Sequence, residues 1–267
     1  MTSVRFTYSH DPTKVKLPAG WRFKRVDSID STNSALKRMV ETGADAEQGL
    51  VLMADVQTAG RGRAGRAWLG GEGNLFASMV LLAPDPPHRA AEIGFIAALA
   101  VIEAIQRLAP DAASDALLKC KWPNDVLCDG GKVAGLLLES VSGPDGTDLV
   151  ILGIGVNLRP VDVTDTGYAV TSLADHGMAL FPARVIEAIV HTIAPRLEVW
   201  RRDGFAPVRE EWLKRCAGLG EQISVRLPGG TKVGKFVELD SDGALILKTA
   251  YGSRERIMAG DVMLGQG

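Results

Sequence analysis

Between His88 and Leu108, the residues Ile93, Ile96, Ala97, Ala100, Val101, Ala104, Ile105 and Leu108 recur every three or four positions. That period predicts a long, well-buried helix, which needs an apolar surface to lie on. Strand-like runs supply one. "GLVLMADVQ" and "NLFASMVLL" precede the helix; "LLKCKW", "KVAGLLLESV" and "DLVILGIGVNL" follow it, separated by Asp/Gly/Pro turns. A shorter helix is expected in "DSIDSTNSALKRMVETG", where Ser31, Thr32 or Asn33 can cap and Gly43 can end it. Two more helices are expected around 183–202 and 205–215. From Gly220 the texture changes to short alternating runs joined by "PGG", "DSDG" and "AYGS", which predicts a small all-β barrel or sandwich. Residues 1–20 read as a loose arm.

A chain of 267 residues has room for one large domain and a small one. Its formal net charge of -2 argues against bulk attraction to nucleic acid or an anionic membrane, so any anion site must be local. Three cysteines, Cys120, Cys128 and Cys216, form neither an even disulfide set nor a CxxC pair, which suits a reducing cytoplasm. The four histidines, His10, His88, His176 and His191, show no zinc-ligand spacing. The opening residues lack the apolar core of a signal peptide, and no run is long enough to span a bilayer.

The local anion site has an obvious candidate. In "QTAGRGRAGRAW", Gln57 to Trp68, the arginines Arg61, Arg63 and Arg66 sit among three glycines with no acidic neighbour. Gly60, Gly62 and Gly65 satisfy a dinucleotide-binding pattern literally, but the context does not. The loop runs into glycine-rich "AWLGGEGN" rather than a helix, and the nearest later acidic residue of the kind required, Asp85, lies in a proline turn. No P-loop occurs. A solvated basic loop is one reading. Against it stand the mutual repulsion of the arginines and the entropy of the glycines, which favour a loop that orders around a phosphate-like ligand. Guanidiniums and glycine-freed backbone N–H groups would supply charge-assisted hydrogen bonds of roughly 1.5–3 kcal/mol each.

Other polar residues interrupt apolar runs. "KCKWPNDVL" places Lys119 and Lys121 on one face of a strand and Cys120 and Trp122 on the other, with Pro123 stopping the strand. Lys119 reads equally as solvated or functional. Lys121 is favoured for function because Trp122 and Pro123 would fix its direction. Asn124 and Asp125 are turn formers, and Asp125 would also suit magnesium held by nucleotide phosphates. Gly135 inside a strand marks a bulge or a close backbone approach to a ligand. Gly153 and Gly155 alternate before Asn157, itself either a turn former or a ligand contact.

Taken in order, "DSTN", "QTAGRGRAGRAW", "KWPNDVL", "KVAGLLLES" and "GIGVNL" resemble the biotin protein ligase family over about residues 25–160, and the segment from 220 to 264 looks like that family's C-terminal module. The resemblance implies an α+β fold: a mixed central sheet with helices packed on it, like class II synthetases, plus a small SH3-like β-barrel. The implied division is 1–218 for the biotin- and ATP-binding domain, including the arm, and 219–267 for the β domain.

The implied reaction has two steps. Biotin and Mg-ATP give biotinyl-5′-adenylate and pyrophosphate, and a lysine of a biotin carboxyl carrier domain then takes the biotin, releasing AMP. By resemblance, Ser31, Thr32, Asn33 and Gln57 contact biotin, and Arg61, Gly62 and Arg63 fold over biotin and the adenylate. Lys121 sits by the carboxylate and α-phosphate, with Lys121 and Arg63 as the catalytic pair. Arg66, Trp68, Asn124 and Asn157 join Arg61 and Arg63 around the nucleotide.

Two departures from the family pattern stand out. Ala64 replaces a further basic residue that many members carry, which lowers the loop's charge. Only about 25 residues precede "DSTN", too few for the DNA-binding domain of some members, so no nucleic-acid partner is expected. An exposed sheet edge would support a homodimer. The rival readings are a lipoyl or octanoyl ligase or transferase of related fold, and a non-catalytic biotin sensor. Retention of both Arg63 and Lys121 weighs against the sensor.

Overall fold

The computed structural model describes residues 14–115, 117–162 and 168–264. Seven strands form the larger sheet: β1 (Arg22–Ile29), β2 (Leu50–Gln57), β3 (Leu75–Leu82), β4 (Leu118–Lys121), β5 (Asp125–Cys128), β6 (Gly131–Ser142) and β7 (Asp148–Val156). Their order is β1-β2-β3-β7-β6-β5-β4. The β1–β2 pair is parallel and the other pairs are antiparallel, so the sheet is mixed. Two of these strands have no counterpart in the sequence reading. β1 is an edge strand with a mostly polar, exposed sequence, so no apolar alternation marks it. β5 begins at Asp125, where a turn was expected. The turn is tighter, and Asp125 already pairs with Lys121 across it.

The alternation of side chains puts a different helix layer on each face. Leu50, Leu52, Val80 and Ile151 point to the face covered by α1 (Thr32–Glu41), where Leu36 and Val40 complete the packing. Ser31 caps α1 by accepting the Ser34 N–H at 3.4 Å, and Gly43 leaves it at φ 67°, a left-handed conformation that favours glycine.

Val51, Met53, Met79, Leu152 and Ile154 point to the opposite face. There α2 (Glu92–Leu108) lies buried, with α3 (Pro182–Asp203) packed against it and α4 (Ala206–Lys214) beside both. Arg196 of α3 holds the three helices together through Glu103 and Glu211, each at 2.8 Å. Of the expected arm, residues 1–13 lie outside the described residues. The carbonyls of Lys14 and Lys16 meet the side chains of Arg184 and His191 at 3.2 and 2.9 Å.

The chain then enters a second sheet of β8 (Gln222–Leu227), β9 (Gly230–Leu239), β10 (Leu245–Lys248), β11 (Arg254–Ile257) and β12 (Asp261–Met263). It is antiparallel throughout, in the order β11-β10-β9-β8-β12, in keeping with an SH3-like module. Ile223, Val225, Phe236 and Leu247 join the same apolar core as α2 and α3. At the seam, the buried Trp122 donates its indole N–H to the Gly243 carbonyl at 3.0 Å. Among the described residues no helix is long and apolar enough to cross a membrane.

Trp122 therefore ties the two sheets together. Trp122→Phe keeps most of the packing and leaves the buried Gly243 carbonyl without its donor, which costs about 1–3 kcal/mol. The expected result is a lower urea midpoint at unchanged slope; an unaltered midpoint would show that the bond contributes nothing to stability.

Candidate active site

The expected loop is a small hairpin. Gly62 N–H donates to the Arg66 carbonyl at 2.7 Å and Trp68 N–H to the Gly60 carbonyl at 2.9 Å, while Arg63–Gly65 makes a single tight turn. Ala64 sits at φ 53° in that turn, where a side chain is strained. The hairpin lies over a cavity that opens to solvent. Ser31, Thr32, Asn33, Gln57, Arg61, Gly62, Arg63, Arg66, Trp68, Asn124 and Asp125, scattered through the sequence, all line it.

One end of the cavity is a directed chain of hydrogen bonds. Gln57 Oε1 accepts from the Thr32 N–H at 2.8 Å and from Thr32 Oγ1 at 3.1 Å, which leaves its Nε2 as the free donor end. Ser78 donates to Asn33 Oδ1 at 2.6 Å, so Thr32 Oγ1, 2.7 Å from Ser78 Oγ, divides its one proton between Ser78 and Gln57. Asn33 Nδ2 then donates to Glu139 Oε2 at 2.9 Å. Glu139 closes the chain on Arg61 at 3.2 Å. Ser78 and Glu139 were not singled out from the sequence. Ser78 lies in an apolar run with no motif around it, whereas Glu139, an acid closing "KVAGLLLES", was a visible signal.

The other end is cationic. Arg63 Nη1 donates to Asn124 Oδ1 at 3.0 Å, a neutral partner, and burial lowers the guanidinium's proton affinity. Among the described residues no carboxylate lies within ion-pair distance of it. Arg66 reaches across to Asp261 of β12 at 2.8 Å. Asp125, only 8% exposed, sits between two ammonium groups, 2.7 Å from Lys132 and 3.8 Å from Lys121. Burial pushes the Lys121 pKa down and Asp125 opposes the shift.

Lys132 lines the cavity, while Lys121 lies behind Asp125 in an adjoining one. The sequence reading passed over Lys132. Its signal was the neighbouring Gly135: a Cβ there would meet Lys132 Cε at 3.2 Å, so the missing side chain makes room for the lysine stem. Asn157 lines neither of these two cavities. It donates to the Thr171 carbonyl at 3.1 Å and accepts the Leu173 N–H at 2.8 Å, holding that segment beside β6.

Gly135 and Gly155 face each other across β6 and β7 and form a slot for the Trp68 indole. A Cβ at Gly155 would fall 2.3 Å from Trp68 Cε2, and one at Gly135 2.6 Å from Cζ3. The indole N–H is buried there with no hydrogen-bond partner among the described residues. The described residues contain no group of three or more metal-ligating side chains. Asp125, the one carboxylate proposed for magnesium, is flanked by lysines, so a magnesium ion fits only as one carried by nucleotide phosphates.

Comparison with known proteins finds similar chains. Residues 26–157 match the model of the Biotin/lipoate A/B protein ligase family, and residues 218–265 that of the Biotin protein ligase C terminal domain. The chain is 39% identical to a biotin–[acetyl-CoA-carboxylase] ligase of Paracoccus denitrificans, covering 88% of this chain and 98% of that one. It is 34% identical to the enzyme of the same name from Mycobacterium tuberculosis, covering 92% and 90%. Among solved structures, the biotin protein ligase from Aquifex aeolicus in complex with biotin and ATP superposes with a TM-score of 0.76 at 27% identity, covering 90% of this chain and 97% of that one.

The glycine slot makes a direct prediction. Gly155→Ala places a methyl group inside the indole's contact distance, and Trp68 must move out. The emission spectrum of Gly155→Ala minus that of Gly155→Ala/Trp68→Phe isolates Trp68, and it is expected to be red-shifted against the same difference in the parent. Coincident spectra would mean that the indole stays put and the strands give instead.

Proposed function

The chain belongs to the biotin protein ligase family, and from that premise we propose that it joins biotin to ATP as biotinyl-5′-adenylate and passes the biotin to a carrier lysine. One observation carries the reading of the site. At one end of the cavity Arg63, Arg66 and Lys132, with Lys121 behind them, face only two carboxylates, Asp125 and Asp261, while the other end is a hydrogen-bonding chain whose one charged pair, Arg61 with Glu139, is neutralised within itself. Excess positive charge beside a partly buried guanidinium suits a phosphate, and the neutral hydrogen-bonding end suits a ureido ring.

In this reading Ser31, Thr32, Asn33 and Gln57 hold the ureido group, whose carbonyl takes the free Gln57 Nε2. Lys132 and Arg63 flank the place where biotin's carboxylate meets the α-phosphate. Two anions approach there, so preorganised cations offset the repulsion as the new bond forms. Lys121 contributes from behind Asp125. Arg61 and Arg66, each held by its own carboxylate, close the loop over the product and keep water from the mixed anhydride. Asn124 fixes Arg63; Trp68 borders the nucleotide; Asn157 supports the nucleotide side through the segment it anchors.

The acceptor in this reading is a lysine on a biotin carboxyl carrier domain of a biotin-dependent carboxylase, in the cytoplasm. The net charge of -2 supports a chain with no nucleic-acid or membrane partner. The outer edge of β1 is the surface we assign to a homodimer, and 1–218 and 219–267 are the proposed functional units.

Biotin with Mg-ATP is expected to release pyrophosphate, and added carrier domain to become biotinylated. Release with lipoate or octanoate instead would favour the rival acyl ligase, and tight biotin binding with no release would favour a sensor. Lys132→Ala should slow adenylate formation by about 100-fold or more, with Lys121→Ala affected less; a full rate in either variant removes that lysine from the chemistry. Arg63→Gly should release biotinyl-adenylate faster and label bystander lysines. An unchanged dissociation rate would take Arg63 out of the lid.

A further inference from the structure

Two ammonium groups, Lys121 buried and Lys132 half-buried, share the one carboxylate of Asp125. Lys132 Nζ lies 5.3 Å from the Trp68 ring centroid, but the ring that reaches both ammonium groups is one absent from every motif in the sequence. Lys121 Nζ and Lys132 Nζ each lie 5.3 Å from the centroid of the Tyr168 ring. That is within the range where a ring face attracts a cation. Tyr168 also lines both the main cavity and the one behind Asp125, so it stands at the boundary between the two lysines' surroundings.

We propose that Tyr168 is a positioning residue: its ring attracts both ammonium groups that share Asp125, so that Lys132 is held at the cavity with Lys121 behind it. This rests on the ligase reading, in which Lys132 meets the reacting groups.

The backbone supports the assignment. Lys132 N–H donates to the Ala169 carbonyl at 2.8 Å and Thr171 N–H to the Lys132 carbonyl at 3.0 Å, so the residues after Tyr168 run beside the start of β6. Asn157 clamps the same segment at Thr171 and Leu173. The ring and Lys132 are therefore carried by adjacent, mutually bonded chains. Two like charges this close repel, and Asp125 alone offsets only one of them. Other charges near Lys121 do not change this balance: Asp261 is already paired with Arg66. A ring quadrupole adds attraction for both ammonium groups without adding a carboxylate that would compete with an incoming phosphate.

The test compares Tyr168→Leu, which removes the ring, with Tyr168→Phe and Tyr168→Trp, which keep a π face. Biotin-dependent pyrophosphate release is measured for kcat and for KM of ATP, and biotin binding is measured by calorimetry without ATP. The expected result is a kcat lower by on the order of tenfold for Tyr168→Leu. Biotin affinity should stay within about twofold, and both aromatic variants should keep near-parental kcat.

Three results would overturn the proposal. A Leu variant with parental kcat would show that the ring positions nothing. A Phe variant as slow as Leu would assign the effect to the hydroxyl. An equal loss of biotin affinity would make Tyr168 a wall of the pocket. Should the Leu variant not fold, the Phe and Trp variants decide alone: slow turnover in both overturns the proposal, and parental turnover in both supports it. A parental protein that releases no pyrophosphate would sink the ligase reading itself, an outcome distinct from all of these.

Discussion

The burial of Lys121, Asp125 and Lys132 on three neighbouring strands is the constraint around which the site is arranged. A charge taken out of water is costly unless paired, and here two ammonium groups share one carboxylate. The arrangement needs β4 and β5 to turn back within three residues so that Lys121 and Asp125 face each other. It also needs an anchor for that turn, which Trp122 provides by reaching to the second sheet. The charge left over is the reason the cavity suits an anion, and the same excess would make the empty site destabilising on an isolated, less supported strand pair.

Opposite this cluster, the loop contributes mobile-looking residues that are in fact each tethered. Arg61 is held by Glu139, Arg66 by Asp261 and Arg63 by Asn124. Only the last partner is neutral, and that difference singles out Arg63 as the guanidinium left for a ligand. Trp68 closes the hairpin's far end by lying in the slot that Gly135 and Gly155 leave open. Tight packing with a buried N–H, unpartnered among the described residues, marks a side chain in a close fit that polar satisfaction does not reinforce.

The smaller sheet is more than an appendage. Its apolar residues continue the core beneath α2 and α3, and Asp261 of β12 brings a carboxylate to the arginine loop. Its hold on Trp122 and on Arg66 places it on both sides of the cationic end. Disturbing the seam should therefore be felt at the cavity.

Much of this was legible in the residues themselves. Periodicity marked the helices, apolar runs marked the inner strands, and the change of texture after Gly220 marked the second sheet. Local chemistry placed Ser31 as a cap and Gly43 as a stop. These features depend on neighbours in sequence, which is why one chain suffices to read them. Tertiary structure alone decided the rest. β1 is polar because it lies at an edge, and only pairing with β2 makes it a strand. Ser78 and Tyr168 carry no motif, and although Lys132 and Glu139 lie within "KVAGLLLES", what each meets, Asp125 and the Tyr168 ring for Lys132 and Asn33 and Arg61 for Glu139, is set by the fold. The sequence could show that positive charge collects in one loop; which cation is neutralised, and which is left for a ligand, follows from distances between strands, loop and the second sheet that no local pattern encodes.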